Sequence, residues 1–358
     1  MINIDGSWGE GGGQILRVAL ALSSVLCEPV KIINIRKKRP KPGLRTQHVI
    51  AIKVIAKLTN AEVSGGTINS EEISFQPHKV RPSKLVFDTK TAASTTLILQ
   101  GLIPAAIFAS GEIEGVFYGG TNNPWAPPFE YMQHVFLPTI LKMGVKGSMK
   151  LLKRGFYPKG GGRISFKFQP VDVLKPIEIA DFNKIESFFG LSYSCKLPCH
   201  IVTRMAESAH KVLSKKLNLE GRITTECLQL DDRRCSLDPG CGIALFIKLS
   251  SGATLAGDSL GKIGKPAEKI GLEAAKVLAD QMITEAPVDV HLADQLIPYM
   301  ALARGRSRIR VTKLSNHTIT CIHITEEITN VSFDVSGGLG EPSLITCKGI
   351  GLSNDQIK

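Results

Sequence analysis

Apolar positions along the chain fall into blocks with helical spacing, separated by short stretches in which apolar and polar residues alternate. Gln47-His48-Val49-Ile50-Ala51-Ile52 opens one helix-like run and Gln133-His134-Val135-Phe136-Leu137 opens another. Each is followed, roughly 30 to 36 residues on, by an alternating segment ending in Gln-Pro: Ile73-Ser74-Phe75-Gln76-Pro77 and Ile164-Ser165-Phe166-Lys167-Phe168-Gln169-Pro170. A third copy starts at Ser315-Asn316-His317-Thr318, reaches Thr329-Asn330 as Thr46-Gln47-His48 reaches Thr59-Asn60, and continues into Val331-Ser332-Phe333-Asp334-Val335. The preceding helices also correspond, Gln100-Gly101-Leu102-Ile103-Pro104 with Gln295-Leu296-Ile297-Pro298 and, more faintly, Gln14-Ile15-Leu16. Each unit reads strand, glycine-rich or polar turn, helix, strand, helix, two strands.

The spacing of the units predicts a further domain. His48 to His134 spans 86 positions and His134 to His317 spans 183, so the third unit arrives 97 residues late. An insert over 183–282 accounts for the delay, with helices near Val202 to Leu217 and Ala267 to Ile283; residues 1–182 and 283–358 then form one discontinuous larger domain.

Composition narrows the setting. A chain of 358 residues that is 43% hydrophobic is long enough for two or three domains with sizeable cores. Its formal charge of +12 is concentrated between Lys31 and Arg45, which favours a polyanionic partner, nucleic acid ahead of an acidic small molecule. Met1-Ile2-Asn3-Ile4-Asp5 lacks the basic and apolar regions of a secretory signal, so the expected location is cytoplasmic. The most apolar run, Thr95 to Ala109, is short and carries Gln100 and Pro104, so a buried helix is expected and no membrane span. Eight cysteines include no C-x-x-C pair. Cys195, Cys199, His200, Cys235 and Cys241 match no zinc spacing and read as small buried thiols, with a disulfide in that segment left open.

Candidate chemistry starts at Asp5-Gly6-Ser7-Trp8-Gly9-Glu10-Gly11-Gly12-Gly13-Gln14, where glycines lead into an apolar helix and present bare amides to an anion. The spacing is neither G-x-G-x-x-G nor a P-loop, and such turns also serve as plain corners. Gly257-Asp258-Ser259-Leu260-Gly261-Lys262 is one residue short of a P-loop and reads as a structural turn.

Taken in order, Gly9-Glu10-Gly11-Gly12-Gly13-Gln14, Lys41-Pro42-Gly43-Leu44, Gly119-Gly120-Thr121, Ala126-Pro127-Pro128, Gly155-Phe156-Tyr157-Pro158-Lys159-Gly160-Gly161-Gly162 and His291-Leu292-Ala293-Asp294-Gln295 resemble the RNA 3′-terminal phosphate cyclase family. The resemblance implies an α/β (α+β) fold: a large domain of three repeated βαβαββ-type units carrying a smaller α/β inserted domain. It also implies a reaction in which ATP adenylylates a histidine, AMP passes to an RNA 3′-phosphate, and the 2′-hydroxyl closes a 2′,3′-cyclic phosphate.

On that resemblance His317 matches the nucleophile, and its repeat counterparts His48 and His134 read as polar helix-capping residues. Gln100, Pro127, His291, Leu292, Ala293, Asp294 and Gln295 match the adenylate pocket, with His291 and Pro127 on opposite faces of adenine. Arg17, Arg36, Arg39, Arg45 and Gln47 suit the RNA 3′-phosphate and backbone, and Glu10 suits Mg²⁺ or Mn²⁺ beside the triphosphate. Two positions depart from the pattern: Thr91-Ala92-Ala93-Ser94 lacks the usual Gly before Ser, and Thr46 stands where Arg often precedes Gln-His, with Arg45 as its substitute. The competing reading is a non-catalytic, cyclase-like RNA-binding protein of ribosome assembly; a carbohydrate-phosphate transferase is a third. Dimerisation stays open.

Overall fold

The structure, a computed structural model, describes residues 1–217 and 220–357. The first sheet is built from β1 (Ile2–Asp5), β2 (Val30–Ile33), β3 (Glu62–Ser64) and β4 (Ile73–Gln76), with α1 (Gly13–Leu26) and α2 (Thr46–Thr59) in the connections. Its order is β1-β2-β4-β3; β1 runs parallel to β2, and β4 antiparallel to both neighbours. The second sheet has the same order and senses, β5-β6-β8-β7. Its strands are β5 (Ser83–Asp88), β6 (Ile113–Gly119), β7 (Lys146–Lys153) and β8 (Gly162–Gln169). Between them lie α3 (Thr95–Ile107) and a broken helix, α4 (Phe129–Tyr131) running through a π-helical turn (Met132–Phe136) into α5 (Leu137–Lys142).

After β9 (Glu178–Ile179) the chain builds a sheet of a different order, β11-β10-β12-β13, from β10 (Ile185–Cys195), β11 (Arg222–Leu228), β12 (Gly240–Leu249) and β13 (Thr254–Leu260). Helices α6 (His200–Leu217) and α7 (Ala267–Met282) pack on each other and against this sheet. The remaining elements are α8 (Val290–Leu302), β14 (Arg304–Val311), α9 (Asn316–Thr329), β15 (Phe333–Ser336) and β16 (Ser343–Ile350). They join β9 in a sheet ordered β9-β14-β16-β15, again with the first pair parallel and the others antiparallel.

The first strand of this last sheet is assembled from two distant pieces of chain. Glu178 and Ile179 pair with Arg308 and Ile309, and Val288 forms a separate parallel bridge further along β14, opposite Val311. The Val288 amide donates to the Arg310 carbonyl, and the Thr312 amide donates to the Val288 carbonyl.

Helices α1, α3, α8 and α9 pack against one another, α9 and α3 on α1 and α8 on α9 and α3. The apolar positions of α3 are buried all round, as expected for a helix in the interior; Pro104 is accommodated within it. No helix among the described residues is long and apolar enough to cross a membrane.

Three expectations need correction. Cys199, in the turn before α6, and Cys227, on β11, are joined by a disulfide, because the turn brings their Cα atoms to 5.4 Å; Cys195 and Cys235 are free and buried. His134 caps nothing: it sits inside the π-helical turn, its ring 5.4 Å from that of Phe189 and 5.0 Å from that of Phe246. Gly257 to Leu260 form the end of β13 instead of a turn, paired with β12, and Gly257 lies against the α7 backbone where a Cβ would collide with Ala274.

Candidate active site

The glycine turn folds because Gly9 and Gly11 adopt left-handed backbone angles, φ 53° and 55°. Gly12 is the N-cap of α1 and supplies no capping side chain, and no acidic residue occupies the first turn, so the leading amides of α1 remain available to an anion. Gly13 has no side chain because the His48 ring occupies the space where a Cβ would stand.

Gln14, just inside α1, was not among the expected site residues, yet it organises the centre. Its Nε2 donates to Asp294 Oδ2 on α8 at 2.7 Å and to the His317 carbonyl at 3.0 Å. Those two acceptors fix the amide orientation, so Oε1, 2.5 Å from His317 Nδ1, accepts a hydrogen bond from the Nδ1–H. The ring is thereby held with Nδ1–H toward Gln14 and Nε2 toward Glu10, whose Oε2 lies 3.2 Å away. With its lone pair facing a carboxylate, Nε2 and Glu10 together form a pair of donors suited to a cation between them. Arg39 supplies a neighbouring cation, its guanidinium 3.2 Å from the same Glu10 oxygen. Ser315 N-caps α9 by accepting from the Thr318 amide, which fixes His317 in the first turn with its side chain half exposed. Burial raises the Asp294 carboxyl to about 6, opposed by His317, His291 and Arg17.

A second group of cations adjoins this centre. Burial lowers the His48 ring to about 4, and the nearby charges of Arg36, Arg17 and Arg45 push it the same way. His48 Nδ1 accepts from the Arg45 amide at 3.0 Å, so Nε2 carries the proton and His48 is neutral at pH 7. Arg36, with a left-handed φ of 58°, is lowered by burial and by Arg45 and Arg39. The Nε atoms of Arg36 and Arg45 are buried without partners among the described residues. Arg45 otherwise donates to Asn69 Oδ1 and the Pro42 carbonyl, a bracing role for its loop. Gln47 lines a small cavity with Arg17 and His48. Crowded cations with unpartnered donors fit a polyanion.

The expected nucleotide residues are brought together only in part. Gln100, Asp294 and Gln295 share a narrow cavity of about 40 Å³ with Gln14 and Arg17, and Gln295 Oε1 is buried without a partner among the described residues. Leu292 and Ala293 are 2% and 0% exposed, which places their side chains in the core. His291 is exposed and meets the Tyr131 ring edge-on at 6.3 Å. Pro127 is tied to α3 by its carbonyl, which accepts from Thr96 at 2.8 Å, and not to His317.

Two further acids border the site. Asp289 N-caps α8 and accepts from the Tyr131 hydroxyl at 2.7 Å. Asp258 on β13 is raised to about 6 by burial, against the pull of His291. Asp289 could have been read as a cap from its place before an apolar run; Gln14 stands in the glycine motif and Asp258 in the near-P-loop segment, but local sequence gives the partners of neither. Among the described residues no group of three or more His, Cys, Asp or Glu side chains is arranged to hold a metal ion.

The RNA 3′-terminal phosphate cyclase family model matches residues 8–335. A protein of Staphylothermus marinus called RNA 3′-terminal phosphate cyclase is 43% identical over 355 residues, covering 99% of each chain. Proteins of that name from Pyrococcus furiosus, 43% identical over 341 residues and covering 95% of this chain and 97% of theirs, and from Pyrobaculum aerophilum, 41% identical over 352 residues and covering 98% and 99%, are similarly close.

Proposed function

Since this chain belongs to the RNA 3′-terminal phosphate cyclase family, we propose that it converts an RNA 3′-phosphate to a 2′,3′-cyclic phosphate at the expense of ATP, through adenylylation of His317. The observation that carries the reading is the His317 ring held by Gln14, with Nε2 directed away from its Nδ1 partner. Nε2 attacks the α-phosphorus of ATP and pyrophosphate leaves. An oxygen of the RNA 3′-phosphate then attacks the same phosphorus, freeing the ring and forming an RNA–adenylate. The vicinal 2′-hydroxyl attacks the RNA phosphorus, loses its proton and expels AMP.

Gln14 and Asp294 hold the tautomer, as an orienting acceptor does in nucleophile–base pairs. The α1 amides and Arg39 stabilise charge on the triphosphate. Arg17, Arg36 and Gln47 hold the RNA 3′-phosphate, with Arg45 bracing the loop. Gln100, Gln295 and His291 contact adenylate by side chains, with Pro127 bordering it and Leu292 and Ala293 shaping the wall from the core. Glu10 is placed to share Mg²⁺ or Mn²⁺ with phosphate oxygens, a fit supported by its demand for a cation beside His317; such an ion would neutralise phosphate charge.

We also assign three repeated units to residues 1–182 and 283–358 and an inserted domain to 183–282. The shared order of three sheets and the strand completed on either side of the excursion support this division. The cytoplasm is the expected setting. The binding-protein alternative gives no reason for the Gln14–His317–Asp294 arrangement. Incubation with α-³²P-ATP and Mg²⁺ tests the reading: the full chain should acquire covalent label that His317→Ala abolishes while its melting transition persists. Label retained by His317→Ala, or none on the wild type, would refute it.

A further inference from the structure

β14 carries Arg304, Arg306, Arg308 and Arg310 at alternate positions, all exposed, while Ser307, Ile309 and Val311 between and beyond them are buried. Alternate residues on a strand point to one face, so the four guanidinium groups form a row with about 7 Å between neighbours, some 20 Å long in all. The row is poorly compensated. Arg308 pairs with Glu178 at 2.9 Å and Arg304 donates to the Ser353 hydroxyl, but the side chains of Arg306 and Arg310 have no partner among the described residues. Arg306 stands directly opposite exposed Lys348 on β16, and like charges facing each other across a ladder destabilise a sheet. On this face β15 adds only one carboxylate, Asp334, two strands away from Arg308. The sheet therefore keeps an arrangement that an external polyanion would relieve.

The row also has a direction. Arg310 lies at the end of β14 where Val288 pairs with Val311, next to the Asp289 cap, and exposed Lys313 follows on the way to His317. We infer that this outer sheet face is a track for the single-stranded phosphate backbone of RNA leading to the 3′ end held at His317. The inference rests on the reading of RNA as substrate. It adds a binding surface remote from the reacting atoms, so it predicts that affinity depends on RNA length.

The test uses the full chain, a fluorescent 20-nucleotide single-stranded RNA and a trinucleotide, both 3′-phosphorylated, with binding followed by anisotropy at several salt concentrations. Wild type should bind the longer RNA at least about ten-fold more tightly. Arg306→Gln/Arg310→Gln should lose most of that advantage and flatten the log–log salt slope by about 1.4, the share of two phosphate contacts. Its trinucleotide affinity, self-labelling by ATP and melting temperature should be unchanged, and Arg306→Lys/Arg310→Lys should restore the slope. Equal wild-type affinity for both RNAs, or an unchanged slope in the glutamine variant, would overturn the track. Absence of self-labelling in a wild type that still shows arginine-dependent length preference would count against the cyclisation chemistry alone and support the track.

Discussion

Arg154 Nε donates to Glu226 Oε1 at 2.6 Å, linking the residue after β7 to β11 across the seam between two sheets. The same guanidinium holds Glu130 at 2.8 Å, lies 4.0 Å from the centre of the Tyr193 ring, and is 1% exposed. Burial opposes its charge, but Glu130 and Glu226 more than compensate and raise it above the usual arginine range. Removing one member of a buried pair strands the other. Arg154→Ala, which leaves Glu130 in the interior at 2% exposure, should therefore cost about 3–5 kcal/mol. Chemical denaturation should show it as a lower midpoint, while ATP labelling per folded molecule stays at the wild-type level.

Replacing Asn183 to Thr284 with a Gly-Ser linker follows from the same seam. The deletion exposes Arg154 and the His134 ring together, so the remainder should fold with a lowered melting temperature and retain some self-labelling. Loss of its cooperative transition would show that these residues complete the main core.

Gln14→Ala removes the acceptor that fixes the His317 tautomer. The rate of self-labelling should fall on the order of 100-fold with little change in ATP affinity, since the amide acts on ring orientation. Single-turnover labelling across ATP concentrations separates the two; a purely weakened affinity would exclude the orienting role.

Protonation of Asp294 near pH 6 removes the acceptor charge that holds Gln14. Self-labelling should decline as pH drops through about 6, and Asp294→Asn should be slower at neutral pH and lack that inflection.

His48 acts on stability in the opposite sense to Asp294. Its folded value of about 4 lies below the ordinary imidazole value of about 6.5, so the unfolded chain binds the extra proton between them, and the His48 contribution shrinks as pH falls through that window. The stability of wild type relative to His48→Gln should drop by up to about 3 kcal/mol from pH 6.5 to 4. Paired melts at the two pH values measure it.

Arg39 and Arg36, neighbours in one basic segment, should separate by function. Arg39 touches Glu10, so Arg39→Ala should slow self-labelling. Arg36, crowded by Arg45 and Arg39, should mainly support RNA, and Arg36→Ala should weaken binding of 3′-phosphorylated RNA with self-labelling nearly intact.

What the sequence reveals depends on how local the determining forces are. Helix α3, the helices near Val202 and Ala267, and the glycine turn are legible because apolar spacing and backbone freedom are properties of neighbouring residues. The orienting role of Gln14 is not, since its partners lie 280 and 303 positions away. Arg154 looks like surface charge until β11 brings Glu226 to it, 72 positions distant. The arginine row was within reach: strict alternation with buried Ser307 and Ile309 is a strand signal, hidden among a general excess of positive charge.

The strand shared by Glu178–Ile179 and Val288 also sets an order of events during synthesis. The first two sheets are complete once the chain has grown past Gln76 and Gln169. The last cannot begin until β14 emerges, because the Ile177 amide waits for the Ser307 hydroxyl and Glu178 for Arg308, each 130 positions later. A nascent chain thus folds from its N-terminal half, holds an incomplete edge while the β10 to α7 segment is made, and assembles His317 among the final steps. Ribosome-bound chains stopped before β14 should bury the first two sheets yet acquire no label from α-³²P-ATP, because His317 and the strand that completes its sheet have not been made.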